Sequence, residues 1–148
     1  MLPARIDVGS VSKRMGSYSD ESRSIESRTK IYEELVGFLP PRIEARFHVT
    51  GAIDPTMLRL QEEAREHGMY PKCFDVKTAQ LLLFGMLLMD LSDAAVLHGI
   101  AARKAGASWD EMQAVVNLCY LFRGLSAANR GAEILARICE QEEGTGRD

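Results

Sequence analysis

An all-α fold of about six or seven helices is what this chain predicts, on three observations. Apolar residues recur at three- and four-residue intervals over most of its length. Helix start and stop signals separate those stretches. No run alternates apolar and polar residues for long enough to make a strand.

Residues 1–27 are rich in Ser, Arg, Asp and Glu and show no apolar period, which reads as a flexible N-terminal arm or a segment ordered only against a neighbour. One helical domain is expected over 28–142, followed by a polar tail over 143–148. From Arg28 to Leu39 the residues Ile31, Leu35, Val36 and Phe38 have helical spacing, and Pro40-Pro41 ends or kinks that helix. Arg42 to Thr50 resumes it, with Ile43 and Phe47 on one face, until Gly51 breaks the pattern. Asp54-Pro55 supplies a capping side chain and then proline at the first helical position. The helix it opens carries Met57, Leu58, Leu60, Gln61 and Ala64, with His67 as a C-terminal cation and Gly68 just past the end.

Asp75 caps a helix over Val76 to Met89. Its apolar stretch Leu81–Met89 is nine residues long, against about twenty for a membrane span, so it is expected to be a buried core helix. Asp90 to Asp93 forms a turn, and Ser92 or Asp93 caps the next helix, which Gly106 ends. Asp90 follows the apolar run, where it is either partly buried or a plain turn residue. Ser108 and Glu111 make a capping box for a helix that buries Met112, Val115, Val116 and Cys119. Trp109, inside that box, is expected to pack against the preceding helix. The last helix runs from about Ala127 to Gln141.

At 148 residues the chain fits one domain, and 46% apolar residues support a real core. A net charge of -3 gives no electrostatic case for nucleic acid. Cys73, Cys119 and Cys139 are far apart and form neither a Cys-x-x-Cys nor a zinc-finger spacing. Such a set suits a reducing cytoplasm, with each thiol expected to be a small buried apolar group. No apolar run at the N-terminus suggests a signal peptide, so a cytoplasmic location with no membrane partner is expected.

His98 is the main candidate for chemistry. On a helix its neighbours at three and four residues are Ala94, Ala95, Ala101 and Ala102, a face that another helix or a small ligand can approach closely. The competing reading is a core histidine satisfied by one hydrogen bond.

The segment Asp75-Val76-Lys77-Thr78-Ala79-Gln80-Leu81-Leu82 resembles the "D-x-K-T-R-E-L-I" opening of the carboxymuconolactone decarboxylase family, which includes the AhpD-type alkylhydroperoxidases. His98 to Ser108 is similar to that family's "H-x-x-x-A-x-x-A-G-A-[ST]", and Tyr120 to Ala128 to its "Y-x-G-[FW]-P-A-A" region, one residue longer if Tyr120 is the aromatic matched. The likeness covers about Leu39 to Ala136. It implies an all-helical, AhpD-like fold with a signature helical hairpin, assembly as a homo-oligomer (trimers or hexamers) and sites near subunit interfaces.

The departures select a branch. In the peroxidases a Cys-x-x-Cys precedes the histidine, whereas the positions seven and four residues before His98 are Leu91 and Ala94. No dithiol is available there, and the assisting glutamate falls on Gln80. The decarboxylase branch keeps only the histidine. The resemblance therefore implies a cofactor-independent lyase acting on a small anionic lactone, with no metal or organic cofactor and with His98 as general acid or base. Arg123 would clamp the substrate carboxylate, or else simply close a helix C-terminus. Gln80 would orient the substrate, Tyr120 would donate to an oxyanion, and His48 would line the pocket from the N-terminal helices; their alternatives are core packing and, for His48, the surface. A non-catalytic, ligand-binding oligomer on the same fold is the second expectation. A thiol peroxidase using Cys73 or Cys119 is a weaker third.

Overall fold

Short polar side chains decide where most of the helices begin. Asp7, Ser24, Asp54, Asp75 and Ser108 each accept a hydrogen bond from the backbone N–H three residues ahead, occupying a donor that the first helical turn leaves open. The computed structural model describes residues 2–146, and among them it contains eight helices and no strand. The all-α expectation holds. They fall into two compact units, Met1–Pro71 and Lys72–Asp148, where one domain over 28–142 was expected. The division falls just before the exposed residues Lys72, Cys73, Phe74 and Asp75.

The N-terminal unit holds α1 (Val8–Met15), α2 (Ile25–Val36), α3 (Pro41–Ile53) and α4 (Pro55–Met69). Its core is Tyr32, Phe47 and Leu58, with Tyr18, Ile25, Leu39 and Ile43 against it. The Tyr32 and Phe47 rings meet edge to face at 5.6 Å. Gly51 leaves room for Tyr18, whose ring would lie 2.7 Å from any Cβ placed there. Gly37, in the left-handed region at φ 91°, ends α2. Pro41 then starts α3 as a separate helix, so Pro40-Pro41 divides two helices rather than kinking one.

The segment expected to be an arm carries α1, which packs on α3 although none of its residues is fully buried; its apolar residues Val8, Val11 and Met15, three and four apart, have the helical period that was not expected there. The same segment contributes a buried ion pair: Arg28 donates to Asp20 at 2.5 Å and to the Tyr18 hydroxyl at 3.0 Å. A second buried carboxylate, Glu62, accepts from Tyr32 at 2.9 Å and from Arg46, while the Arg65 guanidinium lies 4.0 Å over the Tyr32 ring.

The C-terminal unit holds α5 (Val76–Met89), α6 (Ala95–Lys104), α7 (Trp109–Arg123) and α8 (Leu125–Thr145). Helices α5 and α6 form a hairpin, α7 packs on α5 and α8, and α8 returns against α6. The capping box at Ser108 and Glu111 forms as expected. Arg103 of α6 lies 3.9 Å over the Trp109 ring, which places Trp109 against the preceding helix. Several boundaries differ from expectation. Helix α2 spans Ile25–Val36 rather than Arg28 to Leu39, Gly51 lies inside α3 instead of breaking it, and α8 begins at Leu125 rather than Ala127. Helix α4 continues one residue past Gly68 to Met69. Helix α6 has no side-chain cap; Ala94 is its cap residue, and the Ser92 hydroxyl accepts instead from the Ala94 N–H at 3.2 Å. Helix α8 runs through Thr145, so the expected tail is helical at its start, while residues 147 and 148 lie outside the described ones.

The Asp20–Arg28 pair sets an acid limit on the N-terminal unit. Burial pushes the Asp20 carboxyl upward, but the bonds from Ser22 and Arg28 together outweigh it and leave it below the usual carboxylate value of 3.8. A depressed folded value means a stabilisation that is complete above 3.8 and is lost as pH falls through 3.8 toward the lower folded value. Arg28→Met should cost about 3 kcal/mol or more at pH 7 by denaturant unfolding, since it leaves a buried carboxylate unpaired. The double variant with Asp20→Asn should recover part of that loss and flatten the acid limb of the stability profile.

Candidate active site

The hairpin turn positions the site. Asp90 accepts no part in the core; it is exposed, and the chain reverses through Leu91, which sits in the left-handed region at φ 51°. The Ser92 N–H bonds the Leu87 carbonyl at 2.9 Å, and the Leu91 N–H bonds Leu88 at 3.0 Å, closing the end of α5. This tight reversal sets α6 antiparallel to α5. Ala95, Gly99 and Ala102 of α6 are buried, and a Cβ on Gly99 would meet Ile138 at 2.7 Å and Met112 at 3.4 Å.

Close approach brings two of the predicted site residues together. His98 Nδ1 lies 2.7 Å from Gln80 Oε1. Gln80 is fully buried and His98 is half-buried. An amide oxygen only accepts, so Nδ1 carries the hydrogen and donates it. In the neutral imidazole the basic lone pair then falls on Nε2. The ring is neither sealed in the core nor lying on the exterior, which is the placement a proton-transfer group needs.

The remaining predicted residues stand elsewhere. Arg123 is exposed at the end of α7, and its Nε donates to the Met89 carbonyl at 3.1 Å, so it ties the end of α7 to the end of α5. Tyr120 is half-exposed on α7. His48 belongs to the N-terminal unit. There it lines a cavity of about 840 Å³ with Arg5 and Glu44, half-buried where the sequence also allowed a surface position. Arg5 donates to both Glu44 oxygens, at 3.1 and 2.7 Å, and that bond is the main cause holding the Glu44 carboxyl below its usual range.

The cysteines correct another expectation. Only Cys119 is buried; Cys73 and Cys139 are exposed. Burial pushes the Cys119 thiol up, and it donates to the Gly85 carbonyl at 3.5 Å, so it is a poor nucleophile. Among the described residues no group of three or more His, Cys, Asp or Glu side chains gathers as a metal site would require. Nor is any described helix long and apolar enough to cross a membrane.

One feature escaped the sequence reading. A cavity of about 400 Å³ opens between α5 and α7, lined among others by Leu82, Met86, Leu118 and Phe122. Val115, Leu118 and Phe122 of α7, spaced three and four apart, are the signal that was present in the sequence. His98 lines neither this cavity nor the one beside His48.

Comparison with family models, with curated proteins and with solved structures finds no match for this chain.

Two measurements check the geometry. The ring nitrogens of His98 should show a protonated Nδ1 and an unprotonated Nε2 in nitrogen-15 spectra of the neutral form, and Gln80→Leu should abolish that preference. A thiol reagent should modify two cysteines promptly and the third only slowly, with Cys119→Ser removing the slow phase.

Proposed function

We propose that this chain is a cofactor-independent lyase of the carboxymuconolactone decarboxylase type, from the branch without a dithiol, with His98 as its proton-transfer group. The observation that carries the reading is the 2.7 Å bond from His98 Nδ1 to the buried Gln80 amide. A half-buried imidazole with one nitrogen held by a rigid acceptor has its other nitrogen fixed in direction, which is what general acid–base catalysis demands.

The chemistry follows from the substrate class. In a lactone bearing a carboxylate conjugated through the ring to the lactone carbonyl, the bond from carboxyl carbon to ring carbon breaks. Its electron pair passes into the lactone as an enolate, and carbon dioxide leaves. His98, protonated at Nε2 from water, returns that proton to carbon and is neutral again. The Gln80 oxygen accepts from Nδ1–H throughout, holding the ring while its charge changes. A neutral amide takes no proton itself, so Gln80 is a positioning residue here rather than a relay.

Arg123 holds the substrate carboxylate in this reading only if its guanidinium serves the Met89 carbonyl through Nε and the anion through its terminal nitrogens. Tyr120 and His48 are assigned no step.

The second reading, a non-catalytic ligand-binding protein on the same fold, has one observation in its favour: both described cavities lie away from His98. Turnover separates the two. Incubated with carboxymuconolactone, the wild-type chain should release carbon dioxide. His98→Ala should lose about a hundredfold or more in kcat while keeping its helical circular dichroism. Gln80→Leu should lower kcat with little change in KM, and Gln80→Glu should restore part of the loss with an altered pH profile. Retained turnover in His98→Ala removes the histidine from the mechanism, and binding without turnover in the wild type selects the second reading.

A further inference from the structure

We propose that the cavity of about 840 Å³ in the N-terminal unit binds an organic cation, a guanidine or primary amine on an apolar body, and that Arg5 holds that cation's place at Glu44. The inference is independent of the chemistry at His98. Small-molecule sites span roughly 300–1,000 Å³, and this volume lies within that range.

Glu44 is the centre of the site. It belongs to α3 and is only 5% exposed. A carboxylate so buried needs a cation beside it. The cation that meets it is Arg5, from the extended residues ahead of α1. The two partners are placed differently: the Glu44 side chain is 7% exposed and the Arg5 side chain 76%. The anion is part of a packed helix, while the cation reaches it from solvent. Water competes for a guanidinium in that position, so another cation can exchange with it. Arg5 also displays what the carboxylate accepts, which is one N–H donor to each oxygen.

Charge and shape select the ligand class. With Arg5 withdrawn, the lining keeps the carboxylates of Glu26, Glu33 and Glu44 against the single imidazole of His48. That field opposes an anion and complements a cation, so the site is not one for the anionic lactone. Half-buried Ile25, Phe38 and Leu39 give the body of the ligand an apolar wall. The N-terminal segment itself presents the same two features. Leu2 lines the cavity together with Arg5, so one segment brings an apolar side chain and a guanidinium to the place where the ligand would bring both.

Isothermal titration calorimetry of the full chain tests this with hexylguanidinium and hexanoate as probes. Hexylguanidinium should bind and hexanoate should not. Arg5→Ala, which removes the resident cation, should tighten hexylguanidinium about tenfold, since the site is then open throughout. Glu44→Gln should weaken it about tenfold or more, with helicity unchanged in both variants. In nitrogen-15 spectra of the wild type, the Arg5 Nε signal should move to the position of a free arginine as hexylguanidinium is added. That readout decides the matter should either variant lose helicity. No binding to the wild type or to Arg5→Ala, weaker binding to Arg5→Ala, equal binding of hexanoate, binding that Glu44→Gln leaves intact, or an Arg5 signal unmoved at saturation would overturn the proposal.

Discussion

Close approach of α5 and α6 is the constraint on which the C-terminal unit depends. It requires α6 to present almost nothing on its inner face. Ala95, Gly99 and Ala102 meet that requirement, and Phe84, Met112 and Ile138 fill the space above Gly99. It also requires a turn short enough to keep the two helices in register. Leu91 takes a left-handed conformation to make that turn, at a cost of about 1–2 kcal/mol for a residue with a Cβ. The packing around the hairpin offsets that cost.

Once the helices are this close, the Gln80 amide has no exposure to water. The contact with His98 occupies the amide oxygen, and a buried acceptor left unsatisfied costs about 1–3 kcal/mol. The pair is a neutral hydrogen bond where a glutamate would have made a charge-assisted one. What the chain gains is a fixed ring orientation that does not depend on the ionisation of a second group.

Much of this was legible before any coordinates. Capping residues at Asp54, Asp75 and Ser108 fixed three helix starts because a cap is a local interaction, read from neighbours in sequence. His98 and Gln80 are each legible as site candidates in the sequence, while their contact across the hairpin depends on the turn at Leu91. The failures concern burial and pairing, which neighbours in sequence do not determine. The ion pair of Asp20 with Arg28 and the network of Glu62 with Arg46 and Tyr32 bury charges that composition alone assigns to the surface. Cys73 and Cys139 took the opposite course, since the tendency of free cysteine to be buried says nothing about which face of its segment points inward. Arg123 illustrates the limit for site residues. Its type suggests an anion clamp, yet its Nε serves a carbonyl thirty-four positions away.

The two units solve the same problem with different materials. In the N-terminal unit a small aromatic and leucine cluster is supplemented by buried ion pairs, whose geometry is specific but whose net contribution is modest. The C-terminal unit relies on aliphatic packing and has more apolar surface than its four helices cover. Helix α5 expresses both halves of that arrangement. Its inner face carries Gln80 among Ala79, Phe84 and Leu88, while its outer face carries Leu82 and Met86 into the open groove. A helix of that composition is stable in place only because α6 and α7 hold it by one side. The same composition makes the other side unfavourable to leave in water, at about 25 cal/mol for each Å² exposed. Covering that side adds to the free energy holding α5, and α5 is the element that fixes the amide behind His98. The groove and the imidazole thus sit on opposite faces of one helix, and the packing of the first bears on the rigidity of the second.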